Sequence, residues 1–212
     1  MPGDEDLLTA LAAGIARLNQ RYEGPPGAGS RFFLLHRRRL WNEKEGKWIG
    51  WERKRGKLHE LNRLLRGATE TTFIPIDGQP PTVPQGVRYV ITLDADTRLP
   101  KSTAYRLVGA MAHPLNRPRF DPRKGRVVEG YAVMQPRITP SLPTGPGSTI
   151  YQRILSGRGG VDPYAAAVSD VYQDLFEEGS YTGKGIYDVD ALEAALEGTV
   201  PENALLSHDL FE

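Results

Sequence analysis

The sequence has no cysteine, which excludes a disulfide scaffold and any thiolate zinc site and is compatible with a reducing compartment. No run of about 18 apolar residues occurs, so no transmembrane span is expected within the chain. The opening "MPGDEDLLTA" lacks a basic stretch followed by an apolar one, and no secretory signal is expected. The four histidines, His36, His59, His113 and His208, lack metal-ligand spacing such as HExxH. Net charge is also nearly absent, at +1. What remains is 212 residues with 39% hydrophobic and 25% charged side chains. That is enough for one substantial soluble domain or a large piece of one.

The small net charge conceals a strong polarity along the chain. Between Arg31 and Arg66 there are 12 Lys/Arg against 4 Asp/Glu, whereas from Asp162 to Glu212 there are 12 acidic residues and one base, Lys184. A basic segment is a candidate for nucleic acid, anionic lipid or phosphate, or is simply a solvated face neutralised elsewhere in the fold.

Helical and extended patterns alternate. Leu7, Leu8, Leu11, Ile15 and Leu18 fall on one helical face over Asp4 to Gln20, and "GPPGAG" ends that helix. "RFFLLHR" reads as a strand and the Trp- and Lys-rich stretch after it as a loop. "GKLHELNRLL" reads as a helix closed by Gly67. An apolar run from Tyr89 forms a strand, a helix starts near Ser102, and "GRVVEGYAVMQPR" forms another strand. "ITPSLPTGPGS" is a loop. Asp162 with Pro163 opens a helix toward Phe176. Asp190 and Glu193 have the spacing of a capping box for "ALEAALEG". Such alternation predicts an α/β fold with a mainly parallel sheet and helices on both faces.

Where the apolar run stops, "YVITLDADTRLP" places Asp94 and Asp96 two residues apart. If the strand continues to Ala95, both carboxylates share one face at a strand's carboxyl end, where α/β folds place ligands. Three readings compete: the nucleophile and acid of a haloacid-dehalogenase-type phosphatase, a DxD pair that holds a divalent cation against a nucleotide-sugar diphosphate, or a turn with a helix cap. The phosphatase reading lacks a nucleophile on the first strand and a late GDxxxD-like motif. "GSYTGKG", with Gly179, Gly183 and Gly185, is not a Walker loop, since it lacks the four-residue spacer and the Ser or Thr after Lys184. Trp41, Trp48 and Trp51 read as anchors that pin a loop, or as sugar-stacking surfaces.

Further segments favour the second reading. "KRGKLHELNRLL" resembles a helix start of family-2-like glycosyltransferases, and "LLSHDLFE" resembles their later acidic motif. "EGSYTGKGIYDVDA" resembles their glycine-bearing loop beneath the donor sugar. Together with "VITLDADTRLP", "MAHPLNRPRFDP", "VEGYAVMQPRITPSLPTG" and "PENALLSHDLFE", they make the chain similar to the glycosyltransferase family 84 domain of cyclic β-1,2-glucan synthases, from Arg31 to the end.

The resemblance implies an inverting transfer of glucose from UDP-glucose to the 2-hydroxyl of a growing β-1,2-glucan, on a GT-A-like fold. It implies Asp209 as catalytic base, Asp96 and Asp94 as ligands of Mg²⁺ or Mn²⁺, with Asp94 alternatively touching the nucleotide, and Lys57 near the diphosphate. Lys57 reads equally, from the residues alone, as a solvated lysine at a helix start. Gln135 and Arg137 end a predicted strand that borders the same cleft, and Gly183 and Lys184 are further candidates for contact with substrate. The resemblance divides the chain into a helix and Gly/Pro linker at residues 1–30 and a partial catalytic domain at 31–212, lacking its first strands. UDP-glucose, a glucan acceptor and the remainder of a multidomain synthase are the expected partners. Nucleic acid is not expected as a partner. The setting implied is the cytoplasmic face of a bacterial inner membrane. A non-catalytic glucan- or anionic-lipid-binding module is the alternative.

Overall fold

Asp4, Glu5 and Asp6 fill the first turn of helix α1 (Asp4–Arg21), and Arg21 closes its last, a charge order that complements the helix dipole. The computed structural model describes residues 4–25, 27, 29–76, 78–136, 149–150, 175, 181 and 183–198. They divide into two units, one running to Arg88 and including Leu196, the other from Tyr89 to Ala195.

In the first unit the expected strand "RFFLLHR" does not form. The Asn19 side chain instead acts as its partner: Oδ1 accepts from the Arg31 and Phe32 amides, both at 3.0 Å, and Nδ2 donates to the Phe32 carbonyl at 2.9 Å. Backbone groups satisfied by a side chain need no ladder. Farther on, the extended chain pairs only locally, through an Arg37–Phe73 bridge flanked by Arg38 N–H to Thr72 O and Ile74 N–H to His36 O.

The Trp- and Lys-rich stretch is a hairpin rather than a loop. Strands β1 (Leu40–Asn42) and β2 (Lys47–Ile49) pair antiparallel, with Trp41 opposite Trp48. Asn42 Oδ1 accepts from the Glu45 amide and Gly46 has φ 61°. This side-chain-closed turn with glycine in the left-handed region is legible in "NEKEG".

Helix α2 (Arg53–Leu65) ends as expected at Gly67, with φ 88°. The Gly67 amide donates to Leu64 O and the Ala68 amide to Arg63 O, the paired bonds of a Schellman motif. Beneath α2 lies a buried polar cluster. Arg37 Nε lies 2.6 Å from Glu60 Oε2 with both side chains under 10% exposed, and its Nη groups donate to the Trp51 and Arg53 carbonyls. Thr72 donates both its hydroxyl and its amide to Glu60. Burial pulls the Arg37 guanidinium below its ordinary value and the Glu60 charge opposes that.

The second unit holds strands β3 (Tyr89–Thr92), β4 (Arg119–Asp121), β5 (Arg126–Glu129), β6 (Val133–Met134) and β7 (Gly185–Asp188), with helices α3 (Thr103–Ala112) and α4 (Val189–Leu196). The expected strand "GRVVEGYAVMQPR" is split by Gly130, whose φ of 68° turns the chain. Its first half, β5, pairs with β4 in a hairpin closed by "DPRKG", and its second half, β6, joins another sheet.

That sheet corrects the parallel expectation. Its order is β3-β7-β6, and both neighbours run antiparallel to β7. Every strand pair among the described residues is antiparallel. β3 and β6 nevertheless run in the same direction, joined by a connection that contains α3 and long enough for a parallel crossover. A strand from much later in the chain lies between them, which no local pattern indicates. All four residues of β7 are buried, and Met111, Ile186, Tyr187 and Val189 are fully enclosed. The α4 cap is Asp188, whose Oδ1 accepts from the Ala191 amide, two residues before the expected Asp190. The helix expected from Asp162 and the loop "ITPSLPTGPGS" lie outside the described residues.

Glu129 on β5 receives the Arg119 guanidinium at 2.9 and 2.5 Å, which holds its carboxyl below the ordinary carboxylate range. Its stabilisation is therefore present above the unfolded carboxyl value and is lost as pH falls through the lower folded one. Both side chains are more than half exposed, so the effect is small and screened. In acid titrations followed by circular dichroism, Glu129→Gln should differ slightly from the parent at low salt and not at all in high salt.

Candidate active site

The carboxyl ends of β3 and β6 meet the amino end of β7. Thr92 is the last β3 residue to pair, opposite Gly185, and the strand ends there. Asp94 through Thr97 form a turn, closed by the Thr97 amide donating to Asp94 O at 3.0 Å. Asp94 and Asp96 therefore do not alternate along a strand as expected, because aspartate at the first position of a turn favours leaving the ladder. Asp94 is half-buried and Asp96 exposed.

Lys184 immediately precedes β7, and its Nζ donates to Asp94 Oδ2 at 2.8 Å. The Lys184 and Asp94 side chains are 26% and 37% exposed. The backbone beneath this pair is closely held. Gly183 has φ 71°, and a Cβ on Gly185 would stand 2.5 Å from Met134 O and 3.2 Å from Gln135 Cα. Glycine is required there by close approach. The hydroxyls of Thr92 and Tyr181 share a 2.5 Å hydrogen bond that ties Tyr181 to the end of β3. Tyr181 is not among the residues expected at the site from the sequence; its place beside the glycines of "GSYTGKG" is the signal that marks it.

Asp94, Gln135, Gly183 and Lys184 thus gather at one sheet edge, with Asp96 on the adjoining turn. Lys57 lies in the other unit, exposed on α2. Arg137 and Asp209 lie outside the described residues. Among the described residues no group of three or more His, Cys, Asp or Glu could hold a metal ion, and no helix is long and apolar enough to cross a membrane.

The three tryptophans separate by environment. Trp51 packs against His59 and Arg55, while Trp41 and Trp48 are 52% and 64% exposed and meet each other edge to face. The basic segment is partly neutralised within its own unit: Arg37 pairs with Glu60, Arg39 with Asp4, Lys47 and Arg53 with Glu45, and Arg55 with Glu52.

Over 211 residues, covering all of this chain, the sequence is 56% identical to the cyclic β-(1,2)-glucan synthase NdvB of Rhizobium meliloti (strain 1021). The chain is a relative of the cyclic β-1,2-glucan synthases. It spans 7% of the length of that synthase, so the shared sequence is one segment of a much longer protein. No protein-family model matches the chain. The "VITLDADTRLP" and "GKGIYDVDA" segments, which form the sheet edge, both lie within the region of identity to the synthase.

Proposed function

We propose that this segment belongs to the glucosyl-transferring part of a cyclic β-1,2-glucan synthase, which moves glucose from UDP-glucose to the 2-hydroxyl of a growing glucan with inversion. The observation that carries the proposal is the 56% identity along the whole chain. The grouping of Asp94, Lys184 and Gln135 at the carboxyl ends of two like-directed strands supports it, since this is where open α/β sheets bind ligands. A GT-A-like fold is the finer reading, for which the like direction of β3 and β6 on either side of β7 is the supporting feature.

The site offers hard oxygen donors from a turn rather than an all-protein cage. That fits Mg²⁺ or Mn²⁺ held by one or two carboxylates, chiefly Asp96, with phosphate oxygens and water completing the shell. Such an ion supplies charge neutralisation for the departing diphosphate. Lys184 adds a fixed positive charge at that edge. Gln135 borders the same sheet edge, Arg137 is a further contact for the anionic donor, and Asp209 takes the proton from the acceptor hydroxyl. The full-length protein would work at the cytoplasmic face of the inner membrane.

Titration calorimetry of the full-length protein with UDP tests the proposal. UDP binding should strengthen with Mn²⁺, and Asp96→Ala should remove that gain. Asp209→Asn should leave UDP binding intact and reduce transfer by about 100-fold or more, the scale of a lost general base. Binding indifferent to Mn²⁺, or transfer that persists in Asp209→Asn, would overturn the corresponding assignment.

A further inference from the structure

Lys184 is the only base between Asp162 and Glu212, and its ammonium is committed to a carboxylate 90 positions earlier in the chain, at 2.8 Å. From this pairing we infer that Lys184 is a resident cation of the nucleotide site: it neutralises Asp94, leaves Asp96 as the carboxylate that serves the divalent cation, and itself contacts the donor diphosphate. The inference rests on the transferase reading and deepens it.

Three observations support this division of labour. The pair is partly buried, so solvent screens it only in part. A divalent cation on the same carboxylate would meet the repulsion of that ammonium, whereas Asp96 lies two residues farther along the turn and is exposed. The backbone that carries Lys184 is fixed by Gly185, which is packed against Met134 O, and by the Thr92–Tyr181 hydrogen bond. Its charge is consequently held at the carboxyl ends of β3 and β6. An ammonium carries three N–H donors, so its bond to Asp94 is compatible with further bonds to phosphate oxygens.

The two aspartates of one motif are thereby given different tasks, which separate in binding measurements. UDP binding to the full-length protein is measured by calorimetry in Mn²⁺ and in EDTA. Lys184→Met should weaken binding in EDTA by about tenfold, the loss of one charge-assisted contact, and Lys184→Arg should largely preserve it. Lys184→Met should also increase the gain produced by Mn²⁺, because Asp94 is released to act as a second ligand. Adding Asp94→Asn to Lys184→Met should abolish that extra gain. Asp94→Asn alone should keep the Mn²⁺ gain, and Asp96→Asn should lose it.

If Asp94→Asn loses the Mn²⁺ gain as completely as Asp96→Asn, Asp94 is a metal ligand and the inference fails while the transferase reading stands. Unchanged EDTA binding in Lys184→Met overturns it equally. Absence of UDP binding by the parent protein in both conditions overturns the transferase reading, and the inference with it.

Discussion

Glu60→Leu is expected to unfold the first unit under conditions where the parent is stable. The substitution leaves the Arg37 guanidinium buried without its carboxylate and removes the acceptor of two Thr72 donors. Breaking a buried ion pair from one side costs about 3–5 kcal/mol. With a urea dependence of roughly 2 kcal/mol per molar, the midpoint should fall by about 2 M. All three tryptophans lie between residues 41 and 51, so indole fluorescence reports this unit. The double variant Arg37→Met/Glu60→Leu should recover the part of the loss that comes from the stranded charge, because it removes both charges together, while the Thr72 donors stay without Glu60. A midpoint unmoved in Glu60→Leu would contradict the cost assigned to the stranded Arg37 charge, and no recovery in the double variant would place the loss in the lost hydrogen bonds of the cluster instead.

Gly130→Ala should destabilise the second unit by about 2–4 kcal/mol. Two costs combine. The φ of 68° is unfavourable for any residue with a Cβ by roughly 1 kcal/mol. The new Cβ would also overlap the Arg117 carbonyl and crowd Asn116 O, and backbone atoms cannot rotate aside as a flexible side-chain end can. Relieving the overlap must separate residues 116–117 from 130–131 and break the hydrogen bond from the Tyr131 amide to Asn116 O, adding about 1–3 kcal/mol. Gly125→Ala is the control: its φ is 62°, but a Cβ there meets nothing within 4 Å, so only the conformational cost applies. Thermal melts followed by circular dichroism should separate the two variants by several degrees. Equal melts would show that steric approach at Gly130 contributes nothing.

These positions also mark how far local reasoning reaches. Gly67 is legible as a helix stop because a left-handed residue after an amphipathic run is a local event, and its Schellman bonds involve only neighbouring residues. The β1–β2 and β4–β5 hairpins were equally local, signalled by "NEKEG" and "DPRKG", yet basic and aromatic composition led the first to be read as a loop. "RFFLLHR" departs from expectation for the opposite reason. Its pattern suits a strand, but Asn19, 12 and 13 residues earlier, takes the Arg31 and Phe32 backbone groups.

The sequence by itself determined the helices α1, α2 and α3, the end of the apolar run at Leu93, the DxD pair as a candidate site, and the kinship with glucan synthases. Each depends on residue type and spacing over a few positions, or on similarity that extends along the chain. Only the tertiary structure decided that β7 lies between β3 and β6, that the aspartates occupy a turn, and that Lys184 neutralises Asp94. The strand order and the Asp94–Lys184 bond join residues about 50 to 100 positions apart. Strand order and ion pairing are selected by whichever distant segment best buries apolar surface and satisfies the exposed hydrogen-bonding edge, and periodicity carries no record of that choice.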